Sequence, residues 1–470
     1  MKIVAVLSGV LFSASLSCTK HVNGCDSNAD CTDPAYPFCD VNGAYPPSDG
    51  TKNICTITPP GCPADVCGCA PGAATCGSGE LTTCNADGSS TTTTSCALGC
   101  GSDGLACASF TPSNGLAPIL TEASAEPDVS IPSGTTINTD DGTIMTSGGM
   151  SLMIANSLVV QANGIPIRAL AAHSFTIADV TVVGASPIAF VAATDIALNG
   201  ILDVSANGSV SGPGASTTCD GDATVMAKCS NFPAPASPCS GGAGGGGNAT
   251  AGGSGGVDAL VIAGEVTFGG SNDGGPPLTG FSPLLGGCSG GSGTNAALFV
   301  AGGGGGGAVQ LVSGATIELV GIIDVGGGGW SAYPEAPNAG GGAGGMVIIE
   351  TPQLTIANAG GFAANGGGGA GCTLGGSDGA PNDSIAAGGD DGSCSGSDYS
   401  LAGGNGGTGS AMPGNGGFDT RGSASAGESD GFGGGGGASG RVRIATGSGG
   451  YSAMPTSIQS GVITTATLSN

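Results

Sequence analysis

Residues 302–329, GGGGGGAVQLVSGATIELVGIIDVGGGG, hold in one run the two kinds of sequence from which this chain is built. Between the glycine blocks, Val309, Leu311, Ile317, Leu319, Ile323 and Val325 all occupy odd positions, with Gln310, Glu318 and Asp324 among the even ones. Alternation of period two predicts strands with one buried face. The pattern recurs at Ile188, Phe190, Ile196, Leu198, Leu202 and Val204, where Gly200 matches Gly321 and Asp203 matches Asp324. A third copy reads through Met346, Ile348, Leu354 and Ile356, then is two residues longer before Phe362 and the glycine block at Gly366. An even insertion keeps the same face buried. GRVRI at 440–444 re-enters from glycines in the same way. The recurrence predicts a repeat array.

Upstream, residues 151–208 are almost continuously β-prone and are broken by Asn-Gly or Gly turns; Ile167 and Ile188 lie 21 residues apart, Ile177 and Ile196 19 apart. Coils of that length predict an all-β parallel β-helix, a solenoid in which each turn of chain stacks its strands on the turn before. Inward Ile, Val and Leu would stack in columns, each stabilising by roughly 1.5–3 kcal/mol. An open β-sandwich satisfies the alternation as well. On the solenoid reading, 209–256, 269–307, 326–345 and 366–440 are glycine-rich insertions between coils, either disordered linker or blocks such as 302–307 that pack side by side where missing side chains permit close backbone approach, with Cys219, Cys229, Cys239, Cys288, Cys372 and Cys394 inside them as pins.

Composition narrows the function classes. Gly 98 in 470 residues with 4% aromatic residues predicts a narrow, repetitive core, and the lack of a G-X-Y period excludes collagen. A net charge of -26, from 34 acidic against 8 basic residues, argues against nucleic acid or an anionic membrane as partner.

At the N-terminus, Lys2 precedes an apolar run over residues 3–16, too short to span a bilayer, and Cys18 follows it. This reads as a secretory signal over 1–18, so the chain is expected to be exported. The end resembles a bacterial lipoprotein signal, which implies lipid attachment at Cys18; Ser15 stands where that motif prefers Leu. Removing Cys18 from nineteen cysteines leaves twelve before residue 108 and six after it, so each half can pair internally. Residues 19–108 therefore read as a disulfide-rich module with sub-modules at 25–55 and 62–107, 109–127 as a linker of Pro, Ser, Ala and Glu, and 128–470 as the repeat region. Zinc at Cys67-Gly-Cys69 is disfavoured by export and by His21 being the only nearby histidine.

Candidate chemistry is sparse. GGSGG at 252–256 matches the G-x-S-x-G elbow, but no strand-to-helix context accompanies it, and the histidines are His21 and His173 alone. Asp140, Asp141, Asp378, Asp383, Asp390 and Asp391 sit among Gly, Ser and Asn and are the candidate oxygen ligands for calcium, against the reading of solvated acidic loops. Asp203 and Asp324 occupy equivalent outward positions and either mark one face of the scaffold or serve as solubilising residues. A polysaccharide-cleaving β-helix would need carboxylates and a base along a groove, for which the repeat region offers Arg168, Lys228, Arg421, Arg441 and Arg443, with Trp330 and Tyr333 as a sugar platform.

The whole layout (signal, a Cys-rich module such as CDSNADCTDPAYPFCD, then alternating strands and glycine blocks) resembles the glycine-rich surface and secreted proteins of myxobacteria-type bacteria. The resemblance implies a cell-envelope location and no agreed biochemical role. The expected function is a surface structural or adhesive protein, an outer-membrane-anchored lipoprotein without catalytic activity or resident cofactor. Its expected partners are envelope lipid through Cys18 and a carbohydrate or surface protein. The alternative is a secreted carbohydrate-active enzyme.

Overall fold

The computed structural model describes residues 38–40, 54–56 and 72–468, the last range without 86–89, 97, 102, 217, 222–225, 228–238, 241–242, 257–258, 263–264, 269–272, 295–298, 331–338, 372–373, 390–401, 410 and 416–432. Cys18, His21, Tyr333, Cys372, Asp390, Asp391 and Cys394 thus lie outside the described residues. The chain divides into two compact units, Met1–Ala108 and Ser109–Asn470.

In the first unit, Ala74–Gly77, Glu80–Cys84 and Thr91–Ser95 form an antiparallel sheet. Ser78 and Gly79 join the first two strands, and both have positive φ, as a two-residue hairpin turn of this hand requires. Threonine-rich strands bury little apolar surface, and cystines take over: Cys76–Cys100 and Cys96–Cys107 tie the sheet to the chain that follows it. Cys39 and Cys84 are also disulfide-bonded.

The second unit contains three sheets that the chain visits in rotation. The first carries, in spatial order, Val462–Thr467, Arg441–Thr446, Met346–Thr351, Ala308–Ser313, Ile188–Ala192, Pro166–Ala172 and Ala155–Val160. The second carries Ser452–Ala453, Gln353–Ile356, Thr316–Leu319, Asp195–Leu198, Phe175–Ile177 and Val129–Ile131. The third carries Ile458–Gln459, Gly361–Ala363, Ile322–Asp324, Ile201–Asp203, Val180–Val183, Thr135–Asn138 and Ile144–Met145. Their inner faces share one apolar core. Ile131, Ile177, Leu198, Leu319 and Ile356 are register partners from strand to strand and form one buried column. Phe175 meets Phe190 edge to face at 5.6 Å.

The odd-position residues of 309–325 and their counterparts in 188–204 all lie in this core. In the third copy the phase differs: Val347 and Ile349, not Met346 and Ile348, pair with Val309 and Leu311 and enter the core. Every residue of Met346–Thr351 is buried, because the first sheet is covered on both faces. A strand of that kind is apolar at both parities, so alternation cannot decide which side chains point inward.

The expected parallel β-helix solenoid with glycine-rich insertions requires correction. Two of the three sheets are mixed, since Ala155–Val160 and Ile144–Met145 pair antiparallel with their neighbours. In a solenoid, moreover, each repeat contacts only the adjacent repeats. Here glycine segments from distant parts of the sequence hydrogen-bond directly, as in Gly435 N–H to Ala243, Gly246 N–H to Gly341 and Gly253 N–H to Gly436. The glycine-rich stretches are a second body of structure that the sheets adjoin.

Residues 340–345 show how that body is built. Gly340 and Ala343 donate to the carbonyls of Gly291 and Cys288, Gly341 and Gly344 to Gly435 and Ala438, and Gly342 and Gly345 to Gly328 and Val325. The partner segment changes at each residue and returns at every third, the repeat of a polyproline II helix. Residues 366–371 follow the same rule towards 404–407, 339–342 and 374–377. Such a helix makes no internal hydrogen bonds, so all its donors are available to neighbours on three sides. None of the glycines at 340–345 has a positive φ; what requires glycine is closeness, because a Cβ at Gly342 would collide with the Gly304 carbonyl and one at Gly345 with that of Gly307.

The stretch expected as a linker, 109–127, contains the helix Ala117–Ala123. Pro118 in its first turn suits a helix start, and Ile119 and Ala123 form a one-sided apolar stripe that is buried together with Leu116. The helix packs against Pro166–Ala172 and Ile188–Ala192 and covers part of the outer face of the first sheet.

If closeness is the requirement, Gly342→Ala should destabilise the second unit by more than about 3 kcal/mol, as overpacking against main chain that cannot rotate away. Gly148→Ala, where an added Cβ meets only the Thr146 hydroxyl at 3.8 Å, should change stability by less than about 0.5 kcal/mol. Urea unfolding of the two variants measures the contrast.

Candidate functional site

Two polar clusters are built where the sheets meet what covers them. The first lies on the outer face of the first sheet. Gln310 and Glu350 interrupt otherwise apolar strands and are fully buried beneath the turn at Ser113–Gly115. Glu350 Oε2 accepts hydrogen bonds from the Ser113 N–H at 2.9 Å and the Gln310 amide at 2.8 Å, and Oε1 lies 3.3 Å from the Arg443 guanidinium. Asn114 Nδ2 donates to Gln310 Oε1 at 2.9 Å, whereas Asn114 Oδ1 is buried without a partner. One strand position away in the same sheet, Arg441 donates to Asn248 Oδ1 at 2.7 Å and to the Gly280 carbonyl, and lies over the Phe281 ring at 5.6 Å. Burial lowers its pKa to about 10. These groups bind one another and the main chain, so the cluster locks residues 113–114 and 280–281 onto the sheet.

The second cluster is acidic and lies at the outer face of the third sheet. Asp203 and Asp324 are register partners on adjacent parallel strands, and the glycine-rich body brings Asp378 to them. Asp324 is almost completely buried and accepts the Gly326 N–H at 2.9 Å. Asp203 accepts from the Ser205 N–H and hydroxyl at 3.0 and 2.6 Å, and Asp378 from Gly329 and Gly208 at 2.7 and 3.2 Å. Desolvation first, then the charges of Asp203 and Asp378, raise the Asp324 pKa to about 7. Chemically, Asp324 is a carboxyl group that exchanges its proton near neutrality.

Among the described residues, the calcium candidates Asp140 and Asp141, Asp378 and Asp383 are not gathered into one ligand set. Asp140 accepts the Ala185 N–H at 2.7 Å, and Asp141 accepts from the Thr143 N–H and hydroxyl at 2.9 and 2.7 Å, so each staples its own corner. Those two Thr143 bonds hold the Asp141 carboxyl below its usual range. Asp383 is exposed. Among the described residues no group of three or more His, Cys, Asp or Glu side chains is arranged to hold a metal.

The remaining candidates are equally local. Ser254 lies in the glycine-rich body, where its N–H donates to Asn415 Oδ1 at 2.9 Å and its neighbour Gly253 donates to Gly436. His173 Nδ1 lies 3.0 Å from Asp128 Oδ1, which also accepts the Ser174 hydroxyl at 2.7 Å; these two bonds, the serine's first, lower the Asp128 pKa. Arg168 faces the core end, donating to the Thr139 and Asp140 carbonyls and to Asn156 Oδ1. Trp330 packs beside Val300 and Ala339, and its indole N–H is buried without a partner.

Sequence reading missed Glu350, Asn248 and the approach of Asp378 to Asp324. A signal existed for Glu350: a lone acid in MVIIET, two positions along from the point opposite Gln310.

No family model, curated protein or solved structure matches the chain.

Two outcomes follow. The Asp324 pKa is higher folded than unfolded, so the folded state binds the extra proton. Stability from this group is therefore full below about pH 4 and falls as pH rises to about 7, by up to about 4 kcal/mol. Asp324→Asn should flatten that fall and be more stable than the parent at pH 8 in urea melts; an unchanged slope would refute the assignment. Glu350→Ala should cost about 2–4 kcal/mol and release hydrogen-exchange protection at 113–124, because it leaves the Ser113 N–H and the Gln310 amide without their acceptor.

Proposed function

We propose that the protein is an extracytoplasmic structural or adhesive scaffold, attached to the envelope by lipid on Cys18, whose second unit acts as a rigid platform for ligand-binding loops. The observation that carries this reading is the glycine-rich body, whose main-chain donors and acceptors are consumed internally, segment against segment. A body made this way offers almost no side chains for catalysis, but it anchors both ends of every stretch that joins its segments. The sequence of those stretches includes SAYPEAP at 331–337 and SDYSL at 397–401, whose aromatic and polar residues suit carbohydrate or protein surfaces. The disulfides are consistent with an extracellular or oxidising environment. Among the described residues no helix is long and apolar enough to cross a membrane.

Peptide mapping of the native protein should find diacylglycerol on Cys18, and Cys18→Ala should move the protein from the membrane fraction to the medium. The full chain should bind one class of surface glycan or intact cells, and replacing 331–338 by a Gly-Ser stretch should remove binding while preserving the melting temperature. Depolymerisation of a polysaccharide by the purified chain would instead establish the carbohydrate-active alternative.

A further inference from the structure

The first sheet ends in an edge to which no other strand among the described residues pairs. Ala155–Val160 pairs antiparallel with Pro166–Ala172, with Leu158 opposite Arg168. The Arg168 N–H donates to the Pro187 carbonyl on its other side, so Ile167, Ala169 and Ala171 face the edge strand and meet Val159, Ser157 and Ala155. By the alternation of an antiparallel ladder, the main-chain groups of Asn156, Leu158 and Val160 point away from the sheet. Among the described residues those three donate no main-chain hydrogen bond outside the ladder.

The side chains of the same residues are exposed, Leu158 by 50% and Val160 by 72%. The adjoining loop closes the end of the core with Ile154 and Leu152 turned inward, and leaves Met150 67% and Met153 95% exposed. Edge strands in monomeric proteins are commonly blunted by Lys, Pro or a bulge. ANSLVV has no such residue, and its ladder is continuous across the strand.

We infer that this edge is a homodimer interface, formed by antiparallel pairing of Ala155–Val160 with the same strand of a second copy about a two-fold axis at Leu158. Two observations select a second copy as the occupant. The edge is self-complementary: a two-fold at Leu158 places Leu158 against its own counterpart and Asn156 against Val160, so that all three outward residues form hydrogen-bonded pairs, about six bonds in all. The segment that carries the edge is also uncharged, with no Asp, Glu, Lys or Arg in residues 142–167 of a chain whose net charge is -26, and the cation beside it, Arg168, is buried and donates to Asn156 Oδ1 and the Thr139 and Asp140 carbonyls. Two copies of so acidic a molecule repel each other over most of their surface, and here that repulsion is smallest. Asp140 and Asp141 stand exposed just beyond this uncharged stretch, so added salt strengthens the dimer.

Sedimentation velocity of the full mature chain tests this. The expected result is a dimer that Leu158→Pro converts to monomer, because proline removes an outward donor that the internal ladder does not use. Leu158→Lys should do the same, and both variants should keep the parent melting temperature. Leu158→Cys should give a disulfide-linked dimer under mild oxidation, since the α-carbons of such a pair lie within bridging range, and Ser157→Cys should not. A monomeric parent, a dimer that survives both substitutions at Leu158, or a ladder of masses from head-to-tail stacking would each overturn the proposal.

Discussion

A main-chain N–H donating to a carbonyl of a neighbouring segment, with no Cβ between them, is the interaction on which the second unit depends. Each such bond contributes only about 1 kcal/mol net, and glycine loses more conformational entropy on ordering than any other residue. The segments would not hold together as free chains. They order because they enter and leave through strands: Gly307 leads into Ala308, Val325 follows Asp324, Gly345 leads into Met346 and Gly440 into Arg441. The apolar core fixes the ends of each segment, and the hydrogen bonds then act on a chain whose closure is already accomplished. The outer face of the first sheet is covered as well, and Met346 and Ile348 on it are fully buried.

The same covering explains why charge sits where it does. Glu350 and Gln310 are tolerated in a sheet buried on both faces because Ser113, Asn114 and Arg443 satisfy them. They make the docking of residues 109–124 specific in a way that an apolar contact between a short helix and a sheet would not be. Asp324 is the opposite case. It is buried among like charges, its one strong partner is a main-chain N–H, and it is held by the position of its strand despite an unfavourable environment.

How far the sequence could be read follows from which faces are half-buried. In 316–325 and 195–204 one face meets solvent, alternation is clean, and the inward residues are correct from Ile196 to Val325. In Met346–Thr351 both faces are buried, so the parity read there was off by one, and the turn to Leu354 is one residue shorter than its counterpart before Ile317. The glycine stretches were legible only as a choice between disorder and close backbone packing, for a different reason. Disordered linker and close-packed polyproline II segments have the same composition, and they differ only in the partners that approach them. The meeting of Asp324 with Asp378 is hidden likewise, because it depends on how segments far apart in sequence are interleaved.

A glycine-rich body has a further consequence for how the chain must be stabilised. Segments without side chains offer no apolar surface, so their ordering relies on terms that act through the unfolded state. Cys219–Cys288 is such a term: it spans a sequence separation of 69 in which glycine is the commonest residue, and it joins two segments of the body directly. On the loop-entropy account a closure of that length contributes about 4 kcal/mol, and the chain it restrains is among the most flexible that can be made. Such a cystine is consistent with an extracellular or oxidising environment. The glycine composition and the cysteines within it are therefore one physical solution: main-chain packing without side chains calls for a covalent restraint, and a cystine supplies it.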